Sequence, residues 1–285
     1  MATTLVGAPP GVLRAPRRVA APSALITLAR RRAALTAQNP RAIAVPLLTP
    51  ILFALVIAPA LKTALGGLGT AIDYKAFVSV GTVGLLIPLT CVFAGLSVIV
   101  DRESGAQREL LAAPVPRAYL VLGNLIVALA LSVLQVAVVI GAAALSGADF
   151  QITATGSLWF VAAGLLFAVF MYGVAETLAS RVPVQEEYIA ATPAIAVLPF
   201  FFAGALFPIG ALPGALTAFA KVLPLTHALA LMRYGTVDPK GTGLHDIWGI
   251  SNAATSAWLS LAVVALSAAA FAALAIRVFT RAAMR

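Results

Sequence analysis

DRESGAQRELLAAPVPR, residues 101–117, separates two long apolar runs at 77–100 and 118–145. The segment carries charges of both signs over its first nine residues, continues with Leu110 and Leu111, and ends in prolines that stop a helix. This pattern predicts a short amphipathic helix between two membrane-spanning helices. Mixed charge favours contact with a specific protein, because lipid headgroups would select Lys and Arg alone. A surface turn with solvated charges is an equal alternative.

The composition of the whole chain places the apolar runs in a lipid bilayer. Of its 285 residues, 61% are hydrophobic and only 10% are charged, and the mean hydropathy is +1.02. Soluble proteins average about 25% charged residues. The composition therefore excludes a soluble enzyme, a disordered regulator and a nucleic-acid-binding module. The single cysteine, Cys91, cannot form an internal disulfide and leaves the redox compartment open.

Six apolar runs approach or exceed the roughly 20 residues that a spanning helix needs. They predict an all-α integral membrane protein with a basic cytoplasmic arm at 1–41 and a six-helix transmembrane domain at 42–285. The arm is too long for a signal peptide, and three prolines predict a kink in the first span. The predicted spans are 43–61, 77–100, 118–145, 157–179, 189–207 and 255–276.

The positions of the basic residues predict the topology. The net charge is +9, and fourteen of the 19 Lys and Arg residues fall in the arm, the 101–117 segment, the 180–188 loop and the tail. Because positive charge stays on the cytoplasmic side, both termini are expected there. Six spans, an even number, also require that the two termini lie on the same side of the membrane.

The outer stretch 208–254 is too long for a simple turn. Leu212, Leu216, Phe219 and Leu223 repeat on one helical face within it. Prolines interrupt the stretch, which predicts a broken helix that is re-entrant or interfacial before the sixth span. A loop lying on the bilayer is an equal alternative.

Chemical groups for catalysis or ion coupling are sparse. The sequence has no glycine-rich phosphate-binding loop and no Ser/His/Asp arrangement. His227 and His245 lie near two aspartates, but their spacing matches no metal-ligand pattern and favours a solvated loop. Glu176 is the one ionisable residue inside a predicted span, near its cytoplasmic end, where it could reach water or join a helix interface. Uphill transport would therefore need energy from another polypeptide.

Uncharged polar residues also occur within the spans. Asn124, Ser132 and Gln135 lie in the third span, and Thr90 lies in the second. Ser132 and Gln135 are three residues apart and share a helical face. Together with Glu176, these residues would line a path or bond neighbouring helices, helix packing being the commoner outcome.

Two stretches carry a resemblance to a known family. DRESG at 101–105, followed by ELLAAP at 109–114, resembles the cytoplasmic signature of type-2 ABC exporter permeases, the membrane subunits of drug, polysaccharide and lipid exporters. LPLTHALALMR at 223–233 resembles a second family pattern, which ends the outer re-entrant segment. That pattern often has Asn in place of Leu223 and Tyr in place of His227. The similarity runs from the end of the arm to the last span.

The resemblance implies an assembly of several subunits. Two permease copies, identical or different, would pair around a central path, with ATP-binding subunits docked beneath. Segment 101–113 would be a coupling helix in a cleft of the ATPase, and segment 23–38 an interfacial connecting helix whose basic residues also suit anionic lipid. The ATPase contacts would be Arg102, Glu103, Gly105, Arg108 and Glu109.

The resemblance also implies that the chain is a transporter subunit and no enzyme. The chain itself would hold no metal or cofactor, since ATP and Mg²⁺ would bind to the partner subunit. The apolar spans favour export of a hydrophobic or amphipathic drug or lipid across the plasma membrane. A glycan permease ranks second, because a glycan path would need more aromatic and polar surface. A membrane-embedded lipid-modifying enzyme is a further alternative and would need a convergent polar site.

Overall fold

The computed structural model describes residues 21–60 and 73–282. These residues are predominantly helical and contain no strand, which confirms the predicted all-α membrane fold. The first 20 residues of the predicted arm and the connector at 61–72 lie outside the described residues. In chain order, the helices of the described part are α1 (Ala21–Ala37), α2 (Pro40–Leu52, continued by a π turn at Phe53–Ile57), α3 (Tyr74–Glu103), α4 (Ala106–Ala112), α5 (Ala118–Leu145), α6 (Ala154–Ala179), α7 (Gln185–Thr192, continued by a π turn at Pro193–Val197), α8 (Leu198–Phe202), α9 (Gly214–Ala220), α10 (Pro224–Thr236), α11 (Thr242–Trp248) and α12 (Ala253–Ala282).

Five of these helical stretches are long and apolar enough to cross a bilayer. They overlap five of the six predicted runs. The five are Ile43–Ala60 in and beyond α2, Tyr74–Glu103, Ala118–Leu145, Ala154–Ala179 and Ala253–Ala282.

The run predicted at 189–207 has a different form in the structure. Its helix begins earlier, at Gln185, passes through the π turn and ends at Phe202, and turns follow. Glu186 and Glu187 in the first turn make the stretch less apolar than a typical span. Pro193 and Pro199 lack the N–H groups that a regular helix needs, which accounts for the π turn between α7 and α8.

Helix α3 forms the centre of the bundle. Of its most apolar 18-residue stretch, 67% is buried inside the bundle, whereas only 22% of the corresponding stretch of α12 is buried. Helix α6 packs against α3 and also makes the most extensive helix contact of the described residues, with α12. The outer helices α2, α5 and α12 expose apolar side chains, among them Leu48, Leu134 and Leu266. Apolar faces of this kind suit contact with the hydrocarbon of a bilayer.

Hydrogen bonds between connectors identify one end of the bundle, here called the inner end. Arg102 donates to Ala179 O at the end of α6 (3.1 Å). Arg117 donates to Thr280 O near the end of α12 (3.3 Å). The 101–117 segment, the 180–188 loop and the end of α12 therefore lie together. The sequence assigns these segments to the cytoplasm by their positive charge.

The opposite, outer end brings together other connectors of the described residues. Lys75 Nζ at the start of α3 donates to Ser146 O after α5 (2.9 Å). Gln151 N before α6 donates to Thr236 O at the end of α10 (2.8 Å). Thus, within residues 21–60 and 73–282, the members of the two predicted groups of connectors lie at opposite ends of the molecule.

The outer stretch folds as a hairpin that enters the bundle. Helices α9 and α10 are bent by 80° relative to each other, and α10 is buried against α6, α12 and α3. Leu225 at its start lies against Gly84, ten residues or about 15 Å into α3. Its end at Gly235 meets the first turn of α6 at Gly156. The structure therefore favours the re-entrant alternative over a loop lying on the bilayer.

The broken helix predicted for this stretch is present, but the placement of Leu212, Leu216, Phe219 and Leu223 on one helical face is wrong. Leu212 and Leu223 both have extended backbone, at the end of a 3₁₀ turn and immediately before α10. Pro213 and Pro224 follow them and favour an extended residue before the proline. Only Leu216 and Phe219 belong to α9.

A buried arginine holds this hairpin to the centre of the bundle. Arg233 on α10 donates to Gly204 O and Ala205 O, each at 2.7 Å. It also donates to Phe77 O on α3 (3.3 Å from Nε), and its guanidinium carbon lies 3.4 Å from the centroid of the Phe77 ring. Because carbonyl oxygens and an aromatic face surround the cation, α10, α3 and the loop after α8 are held together.

Helices α10 and α6 cross at two facing glycines. A Cβ atom on Gly235 would lie 2.3 Å from Gly156 O, and one on Gly156 would lie 1.9 Å from Gly235 O. Backbone atoms cannot turn aside as a flexible side chain can. Any side chain at this crossing would therefore push the two helices apart.

We predict that Gly235→Ala lowers the free energy of unfolding by about 1–3 kcal/mol, the usual cost of overpacking. Thermal unfolding of the purified chain in detergent measures the loss. The control is Gly164→Ala on α6, where the nearest atom to a new Cβ is Met232 Sδ at 4.0 Å. Equal unfolding temperatures for the two variants would contradict the close crossing.

Candidate functional site

The inner end carries the short helix that the sequence predicted between two spans. Helix α3 ends at Glu103, and α4 runs from Ala106 to Ala112. Gly105 makes the turn between them with φ +80°, a left-handed conformation that glycine adopts without strain. No atom of the described residues lies within 4 Å of a Cβ built there. The glycine is therefore required by the backbone turn rather than by space.

Helix α4 is amphipathic in the way its sequence indicated. Leu110 and Leu111 are half-buried and pack against the core of the bundle. Arg108 and Glu109 are exposed, and within the described part of the chain neither has a recorded hydrogen bond or ion pair. Glu103, also exposed, accepts a hydrogen bond from Gln185 Nε2. Glu103, Arg108 and Glu109 thus form an exposed charged group, here called the charged row.

Arg102 has a different environment from the charged row. Its guanidinium donates to Ala179 O (3.1 Å), Val182 O (2.5 Å) and Pro183 O (3.0 Å). The three carbonyl groups lie at the end of α6 and in the loop after it, where backbone acceptors have no partner within a helix. Arg102 therefore fixes the 101–117 segment to the loop after α6. A further contact of Arg102 with an ATPase stays a prediction.

Arg32 on α1 joins the two helices that support α4. Its Nε donates to Asn124 Oδ1 on α5 (2.8 Å), and its Nη2 donates to Asp101 Oδ2 on α3. Arg31 Nη1 lies 3.6 Å from the same carboxylate oxygen. Asp101 precedes the short helix and Asn124 follows it. Consequently α1, α3 and α5 meet at one buried guanidinium directly beneath α4.

Gln135 ties three helices together deeper in the bundle. Its Oε1 accepts a hydrogen bond from Thr90 on α3, and its Nε2 donates to Ile43 O on α2 (2.7 Å). Like Asn124, this predicted polar residue therefore bonds neighbouring helices within the chain.

Ser132 is the predicted polar residue that borders open space. It is buried, and no nitrogen or oxygen atom among residues 21–60 and 73–282 pairs with its Oγ, whose polar neighbour is the Cys91 thiol. It lies beside a cavity of about 250 Å³ between α5 and α6, whose other walls include Val136 and Gly164. Of the four predicted polar residues, Ser132 has the environment that best fits path lining.

Glu176 does not reach water. It is fully buried on α6, and its Oε2 accepts a hydrogen bond from Tyr172 Oη (2.9 Å). The tyrosine hydroxyl also lies 3.2 Å from Val121 O on α5. Of the two alternatives predicted for Glu176, the structure favours a helix interface over contact with water, because the tyrosine one turn earlier holds the carboxylate inside the bundle.

The two histidines lie at the outer end and bond within the chain. His227 is buried rather than solvated, with Nδ1 3.2 Å from Ser260 Oγ and Nε2 2.9 Å from Lys221 O. Trp248 Nε1 donates to the same serine (2.8 Å). His245 Nδ1 lies 3.1 Å from Ile250 O. The solvated-loop prediction is wrong for His227, and no metal-ligating cluster of three His, Cys, Asp or Glu residues occurs in the described part.

The comparison with known families identifies the architecture. The model of the ABC-2 type transporter family matches residues 23–237, which include α1, the short helix α4 and the hairpin. The chain belongs to the ABC-2 type transporter family. This ABC-2 chain is therefore a multi-pass permease subunit of an ABC transporter, and the resemblance seen in its sequence is confirmed. No curated protein matches the chain.

Two residues of the inner end were missed as site residues by sequence reasoning. In the sequence of this ABC-2 chain, Arg32 was one of several basic residues of the arm. Asp101 was noted only as the first residue of the family motif. A signal was available, since an aspartate at the end of a span needs a cation when it is buried. Which of several nearby arginines supplies that cation depends on how α1 packs.

We predict that Asp101→Asn and Arg32→Gln each lower the unfolding temperature in detergent, and that the double variant loses less than the sum. Removing one member of a buried ion pair costs about 3–5 kcal/mol because the other charge stays buried. Arg108→Gln, at an exposed arginine on α4, serves as the control and should change stability by less than about 0.5 kcal/mol. Additive losses would show that the two side chains act independently.

Proposed function

We propose that this ABC-2 permease is the membrane subunit of an ATP-driven exporter and that α4 is its coupling helix. A separate ATP-binding subunit would dock on the charged row and would hold the ATP and Mg²⁺. The observation that carries the proposal is the exposure of Arg108 and Glu109 on a short helix whose leucines are held by the bundle. Exposed charges of both signs on a fixed support suit a complementary protein surface.

The bonding at the inner end supports a role in transmitting motion. Arg32 joins both supports of α4, and Arg102 joins its base to the loop after α6. A displacement of α4 would therefore move the ends of α1, α3, α5 and α6 together. ATP binding would favour one docked geometry of α4 over another, and this difference in binding shifts the permease between inward- and outward-open states.

The exposed apolar faces support a second copy as a further partner. Leu52 and Val56 of the first span and Phe201 of α8 are large, exposed hydrophobic residues, and the first span has only 22% of its window buried. Phe53 and Phe200 stack edge-to-face with ring centroids 5.8 Å apart, so both elements belong to one side of the bundle. Pairing of two copies would cover this side and form a path between them.

The proposed substrate is a hydrophobic or amphipathic drug or lipid exported across the plasma membrane. The cavity beside Ser132 has mostly apolar walls, with Val83, Val136 and Phe160 among them. Apolar walls with one hydroxyl suit a largely apolar molecule better than a glycan, which needs many hydrogen-bonding groups.

Co-purification tests the proposed ATPase partner. We expect an ATP-binding subunit from the host membrane to copurify with the tagged chain, and ATP hydrolysis to occur in the complex and not with the permease alone. Transport into inverted vesicles, assayed with a panel of hydrophobic drugs, lipids and glycans, then identifies the substrate class. ATP hydrolysis by the pure permease would overturn the division of labour.

Charge reversal tests the charged row. We predict that Glu103→Arg and Glu109→Arg each abolish export, either with continued ATP hydrolysis or with loss of the docked subunit, because reversed charges repel the complementary surface. The unfolding temperature of the permease should not change, since both residues are exposed.

Asp149→Arg provides the matched control for these reversals. Asp149 is an exposed carboxylate at the outer end, and its reversal should leave export and ATP hydrolysis unchanged. Normal export by both Glu103→Arg and Glu109→Arg would contradict a coupling role for α4.

A further inference from the structure

An apolar groove runs between α1 and α5 on the outside of the bundle. It has a volume of about 370 Å³, and Ile43 near the start of α2 also lines it. The groove is lined by Ala29, Arg30, Ala33, Thr36, Ala37, Ile43, Ile126, Val127, Ala130, Leu131 and Leu134.

The groove exists because one wall is made of alanines. Ala29, Ala33 and Ala37 recur every four residues and face α5 with side chains too short to fill the space. On the other wall, Ile126 and Leu134 are 44% and 55% exposed, respectively. They lie eight residues apart on one face of α5, which gives the wall a length of about 12 Å.

The contacts at its two ends orient the groove in the bilayer. At the inner end, the side chain of Leu28 and the backbone of Ala29 lie close against Gly123. Deeper along α5, Gln135 Nε2 donates to Ile43 O (2.7 Å). The groove therefore extends from the inner end toward the middle of α5, with Arg30 at its inner opening.

Arg30 differs from its two arginine neighbours. Arg31 and Arg32 both approach Asp101. Arg30 is exposed, and within the described part of the chain it has no recorded hydrogen bond or ion pair. It is a cation at the inner opening of an apolar groove that faces the hydrocarbon region.

We propose that this groove binds one anionic phospholipid of the inner leaflet. The phosphate pairs with Arg30, and one acyl chain lies along α5 from Ile126 to Leu134. The order of the two parts, charge at the inner end and apolar wall toward the middle, matches the order of headgroup and chain in that leaflet. The site uses none of the charged row, so it stands independently of the proposed transport function.

Lipid retention tests the proposal without an activity assay. The full chain is reconstituted in vesicles of equal parts phosphatidylglycerol and phosphatidylcholine, extracted in mild detergent, and examined by native mass spectrometry. We expect one retained phosphatidylglycerol per chain in preference to phosphatidylcholine. Arg30→Gln should lower this retention about fivefold, the effect of one basic residue at an anionic surface.

Three further variants make the result decisive. Ala130→Phe and Ala33→Phe fill the groove from opposite walls and should both remove the bound lipid, with thermal unfolding used to confirm that at least one of them folds. Arg181→Gln removes an exposed charge at the inner end outside the groove and should retain lipid normally. Equal retention of the two lipids, equal behaviour of Arg30→Gln and Arg181→Gln, or retention by a folded groove-filled variant would overturn the proposal.

Discussion

Arg32 donates to Asp101 on one side of the short helix α4 and to Asn124 on the other. A guanidinium can make both bonds at once because its donors lie in a rigid plane. A lysine could not reproduce this geometry with one ammonium group. Because the ion pair is buried, Arg32 depends on Asp101 for compensation of its charge, whereas Asp101 also has Arg31 nearby. The position of α1 and the spacing of the helices that carry α4 are thus set by the same contact.

Much of the fold follows from hydropathy alone. The stretches Tyr74–Glu103 and Ala118–Leu145 were predictable because their apolar windows contain few interrupting charges. The helix starting at Gln185 was misplaced because its first turns are polar and its second half is apolar. The face from Leu212 to Leu223 failed for another reason: the prolines predicted a break, but periodicity could not show that Leu212 and Leu223 lie outside the helices.

The types of residue at the inner end could be predicted from the sequence, but the hydrogen-bond partner of each residue could not. The charged row and the left-handed turn at Gly105 follow from local sequence, because a short polar segment between two spans must fold in water. Arg102 and Gln135 depend on contacts with residues far along the chain. Their roles were decided by packing, which brings carbonyl groups of other helices within hydrogen-bonding distance.

The buried guanidinium of Arg233 bears on how the protein is made. Its acceptors, the carbonyl oxygens of Phe77, Gly204 and Ala205, all belong to segments that leave the ribosome before Arg233 does. An unpaired arginine is costly in hydrocarbon, but here the groups that receive it are already synthesised when it emerges. The carbonyl groups that pair with this cation therefore already exist when the hairpin reaches the bundle.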